Sequence, residues 1–383
     1  MGLIEPGALL IANGLVVRVG RERQVACLAL ARRADCLDAG GRVVMPGFVD
    51  SHTHALFTGP RLEDYLARIR GATYSQIGRA GGGIQASARQ MRHVGEPALT
   101  RRLSSAIDLF LEHGTTTVEV KSGYGLEEDQ EWKMLKAIGG AAAEHGARID
   151  LVPTLLAHDV PARFRRYRQR FLDLWNNDLI PRAGAAGLAE CFDVFCDRGY
   201  FSIAEARQLL TAAAGAGLRL KIHAEQLAHT GAARLAASLA AVSADHLDHV
   251  TKADINHLRQ AGTIATLLPG STLHLGTGAY PPARQLIDAG VPVALATNFN
   301  PGSAPTANMQ LMLSLACSQM RMTPAEAVTA ATINGAYAVG RGTRVGSLEP
   351  GKQADLVIMN VSDYREIPYY MGMNHCETVL KKG

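Results

Sequence analysis

Between about residue 47 and residue 340 the chain repeats one local pattern eight times: a short apolar, β-branched run, then a longer amphipathic stretch. The runs fall at 47–54, 115–121, 149–158, 188–196, 219–226, 243–248, 262–269 and 292–298. Helical spacing fills intervals such as 128–145, 202–216, 231–240 and 324–338. Short runs that are apolar nearly throughout suit strands buried on both faces, and successive parallel strands need a connection long enough to hold a helix. Eight such units predict an α/β chain folded as a (β/α)8 TIM-type barrel. An open doubly wound sheet is the alternative. Polar candidates end many of the strands rather than gathering at one switch point, which favours closure.

The two ends read differently. Residues 8–11, 15–19 and 25–28 look like short strands, and a Gly- and Pro-rich turn at 346–351 leads into strand-like runs at 354–358 and 378–381. Neither end holds enough apolar residues for its own core. Pairing them covers strands that would otherwise be edges. The expected division is a small β-sandwich from 1–46 with 341–383, beside a barrel of 47–340.

Composition narrows the function class. Apolar residues make up 47% and charged residues 19%, an ordinary globular profile. A net charge of +4, from 39 basic and 35 acidic residues, carries no block of one sign and argues against a nucleic-acid partner. The nearest approach, Arg163, Arg165, Arg166, Arg168 and Arg170, has helical spacing and reads as a solvated face. No run reaches the roughly 18 apolar residues of a membrane span, and 1–14 lacks the basic start and cleavage site of a signal peptide. Cys27, Cys36, Cys191, Cys196, Cys317 and Cys376 form no CxxC pair and read as thiols rather than a disulfide frame. The cytoplasm is the expected compartment.

Chemistry concentrates at strand ends. His52-Thr53-His54 closes the first run, and residues i and i+2 of a strand point the same way. In a parallel barrel that end is the active-site face, and two neutral imidazoles there begin a zinc or iron site. An isolated HxH is more often two unrelated surface histidines. Here His158 ends the third run, His223 the fifth and His246 the sixth, and five histidines at four strand ends are hard to explain as packing. His93, His113, His145, His257 and His375 fall in helices or loops and receive no chemical role. His229, His249 and His274 lie near the site without an assignment.

Together with the segments at 46–54, 80–84, 115–126, 223–226, 243–247 and 298–303, these histidines resemble the amidohydrolase superfamily and, within it, the imidazolonepropionase family. The resemblance spans nearly the whole chain. It implies metal-dependent hydrolysis of 4-imidazolone-5-propanoate to N-formimidoyl-glutamate, a step of histidine degradation. It also implies one zinc or iron ion on His52, His54, His223 and position 298. Substrate contacts would fall to Arg61, Tyr124, His158, Gln226, Asn300, Gly302 and Ser303. His246, Gln226 and position 298 would act on the reacting atoms, with His246 near the scissile carbonyl, in a cytoplasmic homodimer. An arginine such as Arg61 suits a propanoate carboxylate through a forked pair of hydrogen bonds. The Gly82-Gly83 stretch suggests a mobile segment.

One position departs from the family pattern. The eighth strand should end in Asp, and this chain has Asn298. Asn offers a metal its carbonyl oxygen but has neither charge nor a titrating proton for general-base work. Impaired turnover is therefore expected. The competing expectations are a related ring deaminase and a non-catalytic member of the family.

Overall fold

The computed structural model describes residues 2–383. Thirteen strands follow in chain order: β1 (Gly7–Ala12), β2 (Leu15–Arg21), β3 (Val43–Pro46), β4 (Phe48–Asp50), β5 (Thr115–Lys121), β6 (Asp150–Ala157), β7 (Cys191–Cys196), β8 (Arg219–Ala224), β9 (Ser243–His246), β10 (Ile264–Leu267), β11 (Val293–Leu295), β12 (Leu356–Met359) and β13 (Cys376–Leu380). Strands β4 to β11 pair in sequence order, each parallel to the next, as one eight-stranded sheet. All eight of the predicted runs are represented. β5 has the bounds read from the sequence, because its Thr- and Val-rich stretch is buried along its whole length and nothing within it favours a turn.

The sheet curls until its first and last strands meet. The Asn298 amide donates to the His52 carbonyl at 3.0 Å, and the His54 amide donates to the Phe299 carbonyl at 2.9 Å. The Asp50 carboxylate accepts from the Thr297 amide at 3.0 Å and from its hydroxyl. Gly47 is required where the chain enters β4, since a Cβ there would lie 2.3 Å from Thr116 Oγ1.

Helices surround the sheet and bury their apolar faces against it. Residues 202–216 contain the helix Ile203–Gly215, opened by Ser202 and Glu205 in a reciprocal capping box. Thr251 with Asp254 and Thr323 with Glu326 repeat the device. The helix Glu128–His145 coincides with its predicted span. The stretch 324–338 holds two short α-helices separated by a π-turn at Ala330–Asn334. Trp175, Phe171, Phe192 and Phe201 fill the layer between barrel and helices, each worth about 1.5–3 kcal/mol of burial. Among the described residues no helix is long and apolar enough to cross a membrane.

Both chain ends contribute to a separate antiparallel sheet in the order β13-β12-β3. Lys381 docks it on the barrel: its ammonium lies 2.9 Å from Asp150 at the start of β6 and 2.7 Å from Asp355. The β1–β2 hairpin joins through paired bonds between Val16 and the 351–352 turn, both 2.8 Å. The strand expected at 25–28 is absent; Glu22–Ala26 is a short helix that turns Val25 inward, with Glu22 favourably placed in its first turn. The arginine-rich stretch also differs, with a 3-10 turn at Ala162–Phe164 and a helix beginning only at Arg168.

Candidate active site

The C-terminal ends of the barrel strands surround a small cavity lined by His54, Arg61, Tyr124, His158, Phe195, His223, Gln226, His246, Asn298, Asn300, Gly302 and Ser303. Every residue given a metal, substrate or catalytic role in the sequence lines it except His52, which lies behind, its ring 4.5 Å from that of His223; His229, His249 and His274 do not line it. All five strand-end histidines are buried.

Three strand ends hold strained backbone. Glu225, His246 and Asn298 have φ of 55°, 79° and 54°, a left-handed conformation that costs most side chains about 1–2 kcal/mol and that Asn tolerates better than most. Such strain persists where the surroundings over-determine it. Glu225 is fixed by three amides, of Thr230, Gly231 and Ala233, at 2.6–3.1 Å. Leu247, the residue after His246, donates its amide to the Ala224 carbonyl at 3.0 Å.

His52 Nδ1 donates to Asp245 Oδ2 at 2.6 Å, which leaves Nε2 buried without a hydrogen-bond partner. His54 Nε2 and His223 Nε2 face each other at 3.4 Å. Two imidazoles on one tetrahedral ion at 2.0–2.1 Å would stand about 3.3 Å apart. Asn298 Oδ1 is also buried without a partner. His52, His223 and His246 place ring nitrogens within 4.8 Å of one another. Unpaired lone pairs gathered out of water are unfavourable unless a cation answers them, so this donor set fits a metal ion.

Burial holds four of these rings neutral. Desolvation pushes the imidazole pKa of His52, His54, His158 and His246 well below the ordinary value; Lys121 adds to the effect at His52, His158 at His54, and His223 at the other two. The unfolded chain protonates such groups near 6.5 while the fold does not, so below that pH the unfolded state binds more protons. Stability of the metal-free protein should be full above about pH 6.5 and fall as the pH drops, by at most about 1.4 kcal/mol per pH unit for each histidine. Urea unfolding of chelator-treated protein at pH 7.5 and 5.5 checks this. An equal or higher midpoint at pH 5.5 contradicts it.

The opposite wall is arranged around Arg61, the residue preceding the helix Leu62–Ile69. Its Nε donates to Ser87 Oγ and its Nη2 to Tyr124 Oη, both at 3.1 Å. A Cβ at position 302 would stand 2.7 Å from Arg61 Nη1, so a larger residue there would displace the guanidinium. Asn300 is engaged within that loop. Its Oδ1 accepts the Gly302 and Ser303 amides, both at 2.8 Å, and its Nδ2 donates to the Asn298 carbonyl and Ser303 Oγ. His158 donates Nδ1–H to the Gly123 carbonyl at 3.1 Å and stacks on His54.

Several site residues are not apparent from the sequence reading. Arg68 donates to the Gly302 carbonyl at 3.0 Å and reaches His274 Nε2 at 2.7 Å, tying the Leu62–Ile69 helix to the substrate-side loop. Asp64 accepts the Gly83 amide at 2.8 Å and anchors the glycine-rich segment. Asp248, which burial pushes up to about 7, lies 3.7 Å from His246 Nδ1. Below the histidines lie Glu119, Lys121, Asp193, Lys221 and Asp245. A signal existed for Lys221 and Glu119: the two-residue strand period puts the first on the face of His223 and the second on the face of Lys121.

The sequence model of the Amidohydrolase family matches residues 43–383. A Geobacillus kaustophilus (strain HTA426) protein named imidazolonepropionase is 47% identical, the match covering 100% of this chain and 90% of that one. A Solibacter usitatus (strain Ellin6076) protein of the same name is 45% identical, covering 100% and 91%. Among solved structures, a 5-methylcytosine deaminase from Klebsiella pneumoniae liganded with phosphonocytosine superposes with a TM-score of 0.77 at 18% identity, covering 98% of this chain and 93% of that one. A zinc-bound adenosine deaminase from Xanthomonas campestris gives 0.70 at 20%, covering 99% and 88%. These two likenesses are ones of fold.

Proposed function

The chain belongs to the amidohydrolase family and, within it, to the imidazolonepropionases, and from that premise we propose that its cavity hydrolyses the ring of 4-imidazolone-5-propanoate to N-formimidoyl-L-glutamate. The observation that carries the reading is the division of one cavity between a cluster of metal-competent histidines and, across from it, a guanidinium oriented by Ser87 and Tyr124.

Ring opening adds the oxygen of water to the ring carbonyl carbon, breaks the C–N bond and delivers a proton to the departing nitrogen. His52, His54, His223 and the Asn298 side-chain oxygen would hold one zinc or iron ion, which supplies an activated water and a polarised carbonyl. His246, kept neutral by burial, donates an N–H to the carbonyl oxygen as charge develops there. Arg61 takes the propanoate carboxylate, Tyr124 and His158 bound the ring, and Gln226 offers its amide to the ring nitrogens. Gly302 and Ser303 complete the carboxylate end, and Asn300 acts by shaping their loop. Asn298 has no proton to relay, so the chain's own turnover is slow. The cytoplasmic homodimer implied by the resemblance is part of the same reading.

Ultraviolet-monitored turnover of 4-imidazolone-5-propanoate by the zinc- or iron-loaded protein tests the proposal. Arg61 gives a second test. Arg61→Lys keeps charge but loses the planar fork, so a propanoate-bearing ring analogue should bind less tightly, and less tightly still to Arg61→Ala. An analogue without the carboxylate should be barely affected. Equal loss for both ligands would assign Arg61 to loop order instead.

A further inference from the structure

Five ionisable side chains lie under the histidines, in the barrel interior, with no solvent exposure: Glu119, Lys121, Asp193, Lys221 and Asp245. Lys121 Nζ is 2.8 Å from Glu119 and 2.7 Å from Asp193. Lys221 Nζ donates to the Ser51 carbonyl at 3.0 Å and lies 3.6 and 3.5 Å from Glu119 and Asp245. Three carboxylates against two ammonium groups leave one formal negative charge in excess. A buried, uncompensated charge is strongly unfavourable, so the excess calls for a cation nearby.

The position of the carboxylates indicates where that cation sits. Asp245 Oδ2 accepts His52 Nδ1–H at 2.6 Å, while its Oδ1 accepts the Ser243 hydroxyl at 2.6 Å. Asp193 Oδ2 lies 2.9 Å from His223 Nδ1, an ion-pair contact not aligned as a hydrogen bond, and its Oδ1 accepts the His223 amide at 3.1 Å. Each carboxylate thus backs one imidazole, favours its Nδ1–H tautomer and turns the Nε2 lone pair into the cavity. A carboxylate behind an imidazole also raises its basicity as a ligand.

We propose that Asp245 and Asp193 are positioning residues for the metal centre: they set the tautomer and orientation of His52 and His223 and supply, through the two rings, the negative charge that Asn298 lacks. Lys121 and Lys221 hold the pair in register. This rests on the metal-site reading above. Glu119 serves as the internal control, because it carries the same charge in the same cluster but bonds to Thr154, Lys121 and Lys221 rather than to either ring.

Zinc titration of the metal-free protein against a chromophoric chelator reads the effect. Asp245→Asn and Asp193→Asn should each raise the zinc Kd about 10–100-fold, and Asp245→Ala should raise it more than Asp245→Asn. Glu119→Gln should change it less than either. Equal weakening in all three carboxamide variants would overturn positioning in favour of bulk charge, and unchanged affinity in both aspartate variants would overturn the proposal outright. Failure of the unaltered protein to bind zinc would instead sink the metal-site reading. Where a variant does not fold, nitrogen-15 histidine spectra of the unaltered metal-free protein decide: Nδ1–H tautomers at His52 and His223 support the proposal, and Nε2–H tautomers overturn it.

Discussion

Asn298→Asp should raise kcat by about 10²–10⁴, the range for restoring a missing general base, while KM for 4-imidazolone-5-propanoate stays within a few-fold. The replacement is nearly isosteric and finds a prepared position. Asn298 Oδ1 has no hydrogen-bond partner, and its Nδ2 is held only by Ser303 Oγ at 3.5 Å, so little bonding is lost. Its φ of 54° suits Asp as well as Asn, so no backbone strain is added. A carboxylate facing a divalent cation should also tighten metal binding. Arg61 is untouched, and Ser303, whose hydroxyl can donate to the new carboxylate instead of accepting from Asn298 Nδ2, keeps its place through Asn300, which is why the gain belongs in kcat. If fully metal-loaded Asn298→Asp fails to turn over this substrate, the non-catalytic reading moves ahead.

The second large effect is expected from His52→Ala/His54→Ala. The two rings project from one strand end toward His223, and of the assigned donors their removal leaves one imidazole and a carboxamide, too few to retain an ion. Metal content should fall from up to one ion per chain to essentially none by elemental analysis. Turnover should drop by about 10³-fold or more, since Lewis-acid assistance is worth several kcal/mol and each 1.36 kcal/mol is a factor of ten. The variant should still fold, because the rings are anchored by few polar bonds; a retained far-ultraviolet spectrum checks that. Full metal retention in the double variant, or two ions per chain in the unaltered protein, would contradict the assigned donor set.

The barrel was readable because its signal is repetitive. Each of eight short apolar runs had to lie in a sheet covered on both faces, and no error in one boundary changes that inference. Residues 25–28 show the opposite case: four residues of ambiguous period, whose helical outcome depends on turning Val25 inward. The cavity wall was readable where residue type and spacing are distinctive, as at His54 with His52 behind it. The layer beneath it was legible only through the strand period that places Lys221 on the face of His223. Lys121 and Asp245 are charged residues within strands, and sequence alone gives no sign that Asp245, 193 residues away in sequence, meets His52. Asn300 shows a subtler gap, since a side chain matched to substrate contact uses its amide within its own loop. The glycine-rich composition at 80–84 suggests mobility, while Asp64 and Arg89, residues without any distinguishing pattern of their own, bond to its backbone.

The seam of the barrel has a consequence for how the protein comes into being. The contacts that close the ring, Asp50 with Thr297 and His52 with Asn298, join segments that the ribosome makes far apart in time; the first pair is separated by 247 residues. Those same segments carry three of the four donors assigned to the candidate metal centre, His52, His54 and Asn298, with His223 on β8 between them in sequence. No nascent chain ending short of the eighth strand can present the complete set, and joining the first strand to the last must overcome the entropy of closing a very long loop. On the proposed donor set, completion of the ring and assembly of the metal site therefore coincide. Partly made chains would pass through the cell with the fourth donor still missing.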